Sequence, residues 1–587
     1  MKKIFNQIVL SATFLLLLNI SLLSQSIKSP RVMAEWEEVQ GILLNWDEET
    51  CIYTLEIVKD RGWNEILRAH YNAITGTQMG IIKAAIEEGV KVFLLDNINN
   101  NYNVKDTLAA HNIVSPLIKF IEYNAENCIS PWSRDNGPFS IYENITGELK
   151  LIGWLNDEAA DIIAEYLNYP FIKMETDGGL FTDGGNFLTD GHNSLFYEKN
   201  NSKEINPPGY DFNQKFESVF GLKQFIELSP YRDHIDYYLK LVNEETIFVS
   251  SIPKSNYRYS DHIPISQDDS LKIEQAIDHI KTNFKSCYGR PYNVVRLKNA
   301  PTIHDISMNL TVLTGDLSYT NSLILNKTVI VPTYDNPETD NAALEAYREY
   351  MPGYKVVAVP AVYFAMGGGA IHCLTKEIGA NNPIFISHAW LPDTVLVTTD
   401  YKIEAEISSQ TGIASANLFW SLNPEADYQK ITMSNLEGDK YSADIPAQED
   451  NAHVYYYIEA TSAKGKTIRK PMVAPEWAYN FVVDNDAVTD VADKNENLLK
   501  TYSLSDNYPN PFNPSTNISF TLPKSSNVKL AVYNIIGEQV ATLVNQNNMA
   551  AGEYNYKFNA HNLPSGIYIY QLITEEFIKS KKMMLIK

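Results

Sequence analysis

Four cysteines in 587 residues are too few for a disulfide scaffold, because disulfide-stabilised extracellular domains are dense in cysteine. Cys51, Cys128, Cys287 and Cys373 leave room for one bridge among the first three, and Cys373 must stay unpaired to act as a nucleophile. Positive charge is also scarce. There are 48 Lys and Arg against 71 Asp and Glu, a formal net charge of −23. No basic excess is available to meet phosphates, which excludes nucleic acid as a partner. The acidity fits solubility outside the cell and cationic substrates. Beyond Leu23 no apolar run approaches the length of a membrane helix, so no stable membrane span is expected. The chain also lacks His-Glu-x-x-His and Cys-x-x-Cys zinc spacings, a Gly-x-Ser-x-Gly elbow and a phosphate loop. These absences point away from metal hydrolysis, serine hydrolysis and phosphoryl chemistry. No metal and no cofactor is expected.

What is present begins with a secretory signal over residues 1–26. Lys2 and Lys3 precede an apolar stretch from Ile8 to Leu23, and Ser24-Gln25-Ser26 offers a cleavage site. The apolar core from Phe14 to Leu18 is too short for an anchor. At a prior of about 150 residues per domain, the chain holds two to four domains. Residues 31–393 alternate helical and strand patterns. A helix is predicted over 63–89, strands over 90–95 and from 117, a strand-turn-strand over 323–332 with Asn326-Lys327 at the turn, a helix over 342–350 and a strand over 355–360. The class is α/β, built from short repeated units. Residues 394–484 lose helical periodicity and carry only short strand-like runs, which suits an immunoglobulin-like β-sandwich. Residues 485–501 are polar and read as a linker. Residues 502–587 form a small all-β segment with strands over 528–535 and 579–587 and a turn at Pro564-Ser565-Gly566.

The chemistry centres on Gly367-Gly368-Gly369-Ala370-Ile371-His372-Cys373-Leu374-Thr375. Glycines let a backbone approach a ligand closely. A nucleophilic cysteine is expected in an exposed, electropositive setting that favours thiolate. Four other groups of polar residues lie in the α/β region. Pro131 to Pro138 places Trp132 and Asp135 three apart in a loop, which by itself is a surface turn with an Arg134–Asp135 pair. Asp183-Gly184-Gly185-Asn186 with Asp190-Gly191 matches neither calcium-binding repeat. His234-Ile235-Asp236 sets an imidazole and a carboxylate on one face of an extended chain, which by itself is a surface pair. Asn321, in Ser318-Tyr319-Thr320-Asn321-Ser322, by itself caps a turn. Two carboxylates, a histidine, an indole and a thiol together suit a reaction at a planar cation. A guanidinium offers donors in a rigid fork and a flat face that stacks on an indole, and its carbon stays open to a thiolate.

On these motifs, in this order along the chain, together with Arg31-Val32-Met33-Ala34-Glu35-Trp36-Glu37, the α/β region resembles the bacterial peptidylarginine deiminase and agmatine deiminase family. The resemblance implies a five-bladed α/β propeller with the site at its centre. It makes Cys373 the nucleophile of a covalent thiouronium intermediate and His234 the general acid and base. Asp135 and Asp236 bind the guanidinium, Trp132 lines the pocket and Asn321 positions the cysteine. It implies no cofactor. The final segment resembles the C-terminal sorting domain of the type IX secretion system, on Asn510-Pro511-Phe512-Asn513-Pro514, Tyr533 to Gly537, Leu563 to Tyr568 and the Lys-rich last strand. That implies the secretion machinery as a partner, passage through the periplasm and outer membrane, and a secreted or surface-attached product.

The resemblance also bears on substrate. Exported peptidylarginine deiminases of this family hold a peptide's C-terminal carboxylate with a pair of arginines, and the corresponding stretch at 151–158 has none. Agmatine deiminases carry an acidic stretch before His-x-Asp, where this chain has Ser229-Pro230-Tyr231-Arg232-Asp233. Arg232 repels a cationic tail and suits a substrate carboxylate, or pairs with Asp233. The expected activity is therefore deimination of arginine residues in peptides or proteins to citrulline and ammonia. The alternatives are agmatine, giving N-carbamoylputrescine, free arginine, and a surface binding protein that keeps the scaffold without turnover.

Overall fold

The computed structural model describes residues 30–46, 64–98, 103–124, 130–143, 147–154, 158–174, 184–198, 212–229, 234–252, 267–301, 303–305, 310–312, 317–365, 368–391, 399–483 and most of 502–585. The signal at 1–26, Cys51, Cys128, Asp183, Arg232, Gly367 and the linker at 485–501 lie outside the described residues. The chain divides into two compact units, Met1–Val488 and Thr489–Lys587.

In the first unit one pattern recurs five times: a strand, an antiparallel neighbour, a helix, and a strand parallel to that neighbour. Phe139–Tyr142, Leu149–Trp154, helix Glu158–Leu167 and Phe171–Met174 form one such unit. Leu188–Thr189, Ser194–Glu198, helix Phe212–Phe220 and Gln224–Leu228 form the next. Leu239–Leu241, Thr246–Ser251, helix Gln267–Asn283 and Asn293–Lys298 follow. Then come Leu323–Leu325, Thr328–Thr333, helix Pro337–Tyr350 and Lys355–Pro360. In the remaining unit the first strand is supplied from the far end of the region. Thr375–Gly379 runs antiparallel to Val39–Asn45, which leads through helix Asn64–Glu87 to parallel Lys91–Asn97 and Ile118–Tyr123. Parallel neighbours need a crossover, and each helix supplies one. Buried side chains from all five sheets, among them Leu94, Tyr142, Phe196, Phe248 and Ile330, join one core cluster.

Local sequence explains the edges of these elements. The turn at Asn326-Lys327 holds Asn326 at φ 50°, a conformation asparagine tolerates, between the two predicted strands. The helix predicted over 342–350 begins at Pro337, because Asn336 accepts the Thr339 amide and proline fits the first helical position. Within the arginine-free stretch at 151–158, residues 151–154 are strand rather than loop. They belong to the strand Leu149–Trp154, in which Leu151, Ile152 and Gly153 are buried.

The all-β region of the first unit has two antiparallel sheets on one core that includes Ile403, Leu418, Tyr456 and Phe481. Tyr401–Ser409 alternates buried and exposed positions, as a strand with one wet face must. Ile384–Ser387 pairs with Tyr401–Ser409, so this sheet reaches back past the boundary at 393 read from the sequence. That boundary rests on the loss of helical periodicity after 393, a local signal that does not register which sheet the strand before it joins. The second unit carries two sheets of its own around Phe512, Ile518, Leu530 and Tyr570. No described helix is long and apolar enough to cross a membrane.

Candidate active site

Cys373 lies in the single helical turn Ile371–Leu374 and is 2% exposed. The turn is held from a distant loop. Asn321 Oδ1 accepts the amides of Ala370 at 3.0 Å, His372 at 3.1 Å and Cys373 at 3.3 Å, while its Nδ2 donates to Cys373 Sγ at 3.1 Å. Asn321 does cap a turn, and the turn it caps carries the nucleophile candidate. Trp132 crowds the same spot. A Cβ on Gly369 would stand 2.7 Å from the indole Cζ3 and 3.0 Å from Cys373 Sγ, so only glycine lets the three meet.

Asp236 sits against the thiol, in the 3-10 turn Ile235–Tyr237, and is fully buried. Its Oδ2 lies 3.2 Å from Cys373 Sγ and 2.7 Å from His372 Nδ1, and its Oδ1 has no hydrogen-bond partner. This is not the surface pair that His-x-Asp suggests alone. His234 precedes the turn in extended conformation. Its imidazole and the Asp135 carboxylate converge on Gly185, whose amide donates to Asp135 Oδ1 at 3.0 Å. A Cβ there would lie 2.3 Å from His234 Nδ1 and 3.1 Å from Asp135 Oδ1. The structure thus brings Trp132, Asp135, His234, Asp236, Asn321 and Cys373 to one place from four separate stretches of chain. Arg232 lies outside the described residues.

The electrostatics differ from the expected electropositive, exposed setting. Burial, then the charges of Asp236 and Asp135, push the Cys373 thiol well up, against the hydrogen bond from Asn321. The resting cysteine is a thiol. Burial also works to raise the Asp236 carboxyl, but the hydrogen bond and charge of His372, with His234 and Cys373, hold it below the usual carboxylate range.

Several polar residues around the site escaped the sequence reading. Arg134 is not paired with Asp135 on a surface. It is buried, donates to both Glu377 oxygens at 2.7 and 2.5 Å, and holds His372 O through Nε at 3.1 Å. Lys240 is bonded to Glu35 and donates to Ser322 O at 2.6 Å. Glu35 also accepts the Ile324 amide at 2.7 Å and faces His372 Nε2 at 3.2 Å. Glu35, Arg134 and His372 stand inside the motifs, where only their family likeness was read. Lys240, a lone lysine between two leucines in a strand, was a legible anomaly. Donor atoms of Glu35, His372 and Glu377 lie within 4.8 Å of one another, but Arg134 and Lys240 already meet both carboxylates, so this donor set does not suit a metal ion. A cavity of about 50 Å³ lined by Glu35, Arg134, His372 and Glu377 lies beside them. A larger cavity of about 360 Å³ lies between the α/β and all-β regions, lined by Trp36, Asp190, Tyr354, Trp390 and Tyr479, and touches none of the candidate site residues.

The model of the Porphyromonas-type peptidyl-arginine deiminase family matches residues 31–378, and that of the secretion system C-terminal sorting domain matches 506–587. A Yersinia pseudotuberculosis protein named by inference an agmatine deiminase is 25% identical over 286 residues, covering 42% of this chain and 74% of its own length. A Vibrio parahaemolyticus protein named in the same way is 23% identical over 292 residues, covering 42% and 75%. The solved structure of C. jejuni agmatine deiminase is 20% identical, covers 60% of this chain and 96% of its own, and has a TM-score of 0.45. The sorting domain marks the chain for export, to the cell surface or beyond. With its family model matched over more than half of its length, the chain belongs to the Porphyromonas-type peptidyl-arginine deiminase family of amidine-hydrolysing enzymes.

Proposed function

We propose that this protein hydrolyses the guanidinium group of arginine residues in peptides or proteins, giving citrulline and ammonia. The observation that carries the reading is a buried thiol with the Asp236 carboxylate 3.2 Å away and with Asp135 and His234 converging on Gly185 nearby. Two anions around a neutral thiol call for a cation. A guanidinium spans two carboxylates through its N–H fork, and the unpartnered Asp236 Oδ1 is a ready acceptor for it. Its positive charge offsets the carboxylates that raise the thiol, so binding itself favours the thiolate.

The Cys373 thiol gives its proton to His234, and the resulting thiolate forms a C–S bond to the guanidinium carbon. His234 gives a proton to one terminal nitrogen, that C–N bond breaks, and ammonia leaves a thiouronium cation on the cysteine. His234 next takes a proton from water, the resulting hydroxide adds to the same carbon, and the C–S bond breaks to return the cysteine and a ureido product. Trp132, against Cys373, provides the wall on which the flat cation stacks.

The five strand-strand-helix-strand units support a five-bladed propeller over 31–393, with an immunoglobulin-like sandwich over 394–484, extended back to Ile384 by strand pairing, and a sorting domain over 502–587. Export and the lack of arginine at 151–158 favour internal arginines of extracellular proteins. Agmatine is the second reading, favoured by the names of the 25% and 23% identical relatives. A ureido-product assay on peptides with internal or C-terminal arginine, free arginine and agmatine decides between them. The internal-arginine peptide should have the highest kcat/KM, and Cys373→Ala should abolish product. Turnover by Cys373→Ala sinks the mechanism, and a preference for agmatine moves the substrate to the second reading. No turnover of any guanidine leaves a surface binding protein.

A further inference from the structure

We propose that His372 is a positioning residue that fixes which oxygen of Asp236 the substrate meets. The inference deepens the reading above and rests on it. Asp236 Oδ2 is occupied twice, by His372 Nδ1 at 2.7 Å and by Cys373 Sγ at 3.2 Å. Its Oδ1 is buried without a partner, which leaves that oxygen for a guanidinium N–H. A carboxylate free to rotate about its last bond would present either oxygen, so the bond from His372 sets the aim.

His372 cannot turn away, because it is held at both ends of its ring and through its backbone. Nε2 faces Glu35 Oε2 at 3.2 Å, an ion-pair contact without hydrogen-bond alignment, and Glu35 is itself tied to Lys240 and the Ile324 amide. Asn321 takes the His372 amide, and Arg134 takes its carbonyl while gripping Glu377. Of the three carboxylates around the ring, Arg134 meets Glu377, Lys240 meets Glu35, and His372 meets Asp236. Against burial, the contact with His372 holds the Asp236 carboxyl below the usual carboxylate range.

The test compares wild type with His372→Asn and His372→Ala, by steady-state kinetics on an internal-arginine peptide and by the protection that this peptide gives Cys373 against iodoacetamide. His372→Ala should raise KM about tenfold or more, the worth of one charge-assisted hydrogen bond. His372→Asn, whose side-chain amide can still donate to Asp236, should recover most of that loss. The loss in His372→Ala should fall on KM rather than kcat, because the Asp236 oxygen that receives the substrate is no longer aimed. A folded His372→Ala with wild-type KM overturns the proposal, as does a His372→Asn whose KM rises as far as expected for His372→Ala. If His372→Ala does not fold, His372→Asn decides alone. If the wild type turns over no guanidine, the functional reading fails. Protection of Cys373 by the arginine peptide then still judges His372. Equal protection in wild type and a folded His372→Ala at subsaturating peptide overturns its role, as does protection lost in His372→Asn.

Discussion

Asn321 concentrates on one side chain what the reaction asks of its surroundings. One carbonyl oxygen takes three amides of the turn that carries Cys373, those of Ala370, His372 and Cys373, and the amide nitrogen meets the sulfur. Its hydrogen bond is what opposes the upward push on the thiol. Asn321→Ala should therefore lower kcat by about a hundredfold, in line with loss of one preorganised donor, and shift Cys373 alkylation to higher pH. Asp236→Asn keeps the shape but removes an anion from both substrate and thiol. The thiol should then ionise at lower pH, because a raising charge is gone, while KM for a guanidine rises by about tenfold or more. A variant that alkylates at unchanged pH would show that Asp236 does not govern the thiol.

At the scale of elements, the site depends on close approach between segments far apart in sequence. Gly185 lets the His234 and Asp135 side chains share one spot, and any Cβ there lands 2.3 Å from the imidazole. Gly185→Ala should cost most of the activity while circular dichroism stays native. Retained activity would mean that His234 need not stand beside Gly185. The short helix Ser133–Asn136 is locked to strand Thr375–Gly379 by the Arg134–Glu377 pair, with side-chain exposures of 6% and 5%. Arg134→Met leaves Glu377 buried without its cation, which costs about 3–5 kcal/mol and is measurable as a shifted urea midpoint. A loss well under that range would show that solvent reaches Glu377.

At the scale of the whole molecule, buried titratable groups bound the stable pH range from both sides. Asp236, Glu35, Glu244 and Glu377 are held below the usual carboxylate range: burial opposes this, and cationic partners outweigh it. Their stabilisation is present above the unfolded carboxylate value, about 4, and is lost as pH falls through the folded values. Cys373, Tyr142 and Tyr479 are pushed up by burial. The unfolded chain loses those protons first, so stability falls once pH passes about 8.5 for the thiol and about 10 for tyrosine. Thermal unfolding against pH should give a plateau between these edges, and a midpoint that rises steadily to pH 11 contradicts the burial of these groups. Thr489–Lys587 has its own core and none of the candidate site residues, so its removal should leave kcat/KM unchanged.

Much of this was legible in the chain itself. Hydrophobic periodicity, the Asn326 turn and the change of texture after the α/β region are local properties, set by side-chain size, burial and backbone preference, and they determined the class and most element positions. Motif order picked out Cys373, His234, Asp135, Asp236, Trp132 and Asn321, because each belongs to a short stretch with its own signature. Only the tertiary structure decided the rest. The cysteine's anionic, buried surroundings, the bridge of His372 between Asp236 and Glu35, and the pairing of Arg134 with Glu377 join residues up to 337 positions apart, as His372 minus Glu35 gives. No local pattern encodes such contacts. They arise when a five-times repeated unit closes its first sheet with its last strand, and that closure brings the charges into one low-dielectric centre where each must find a partner.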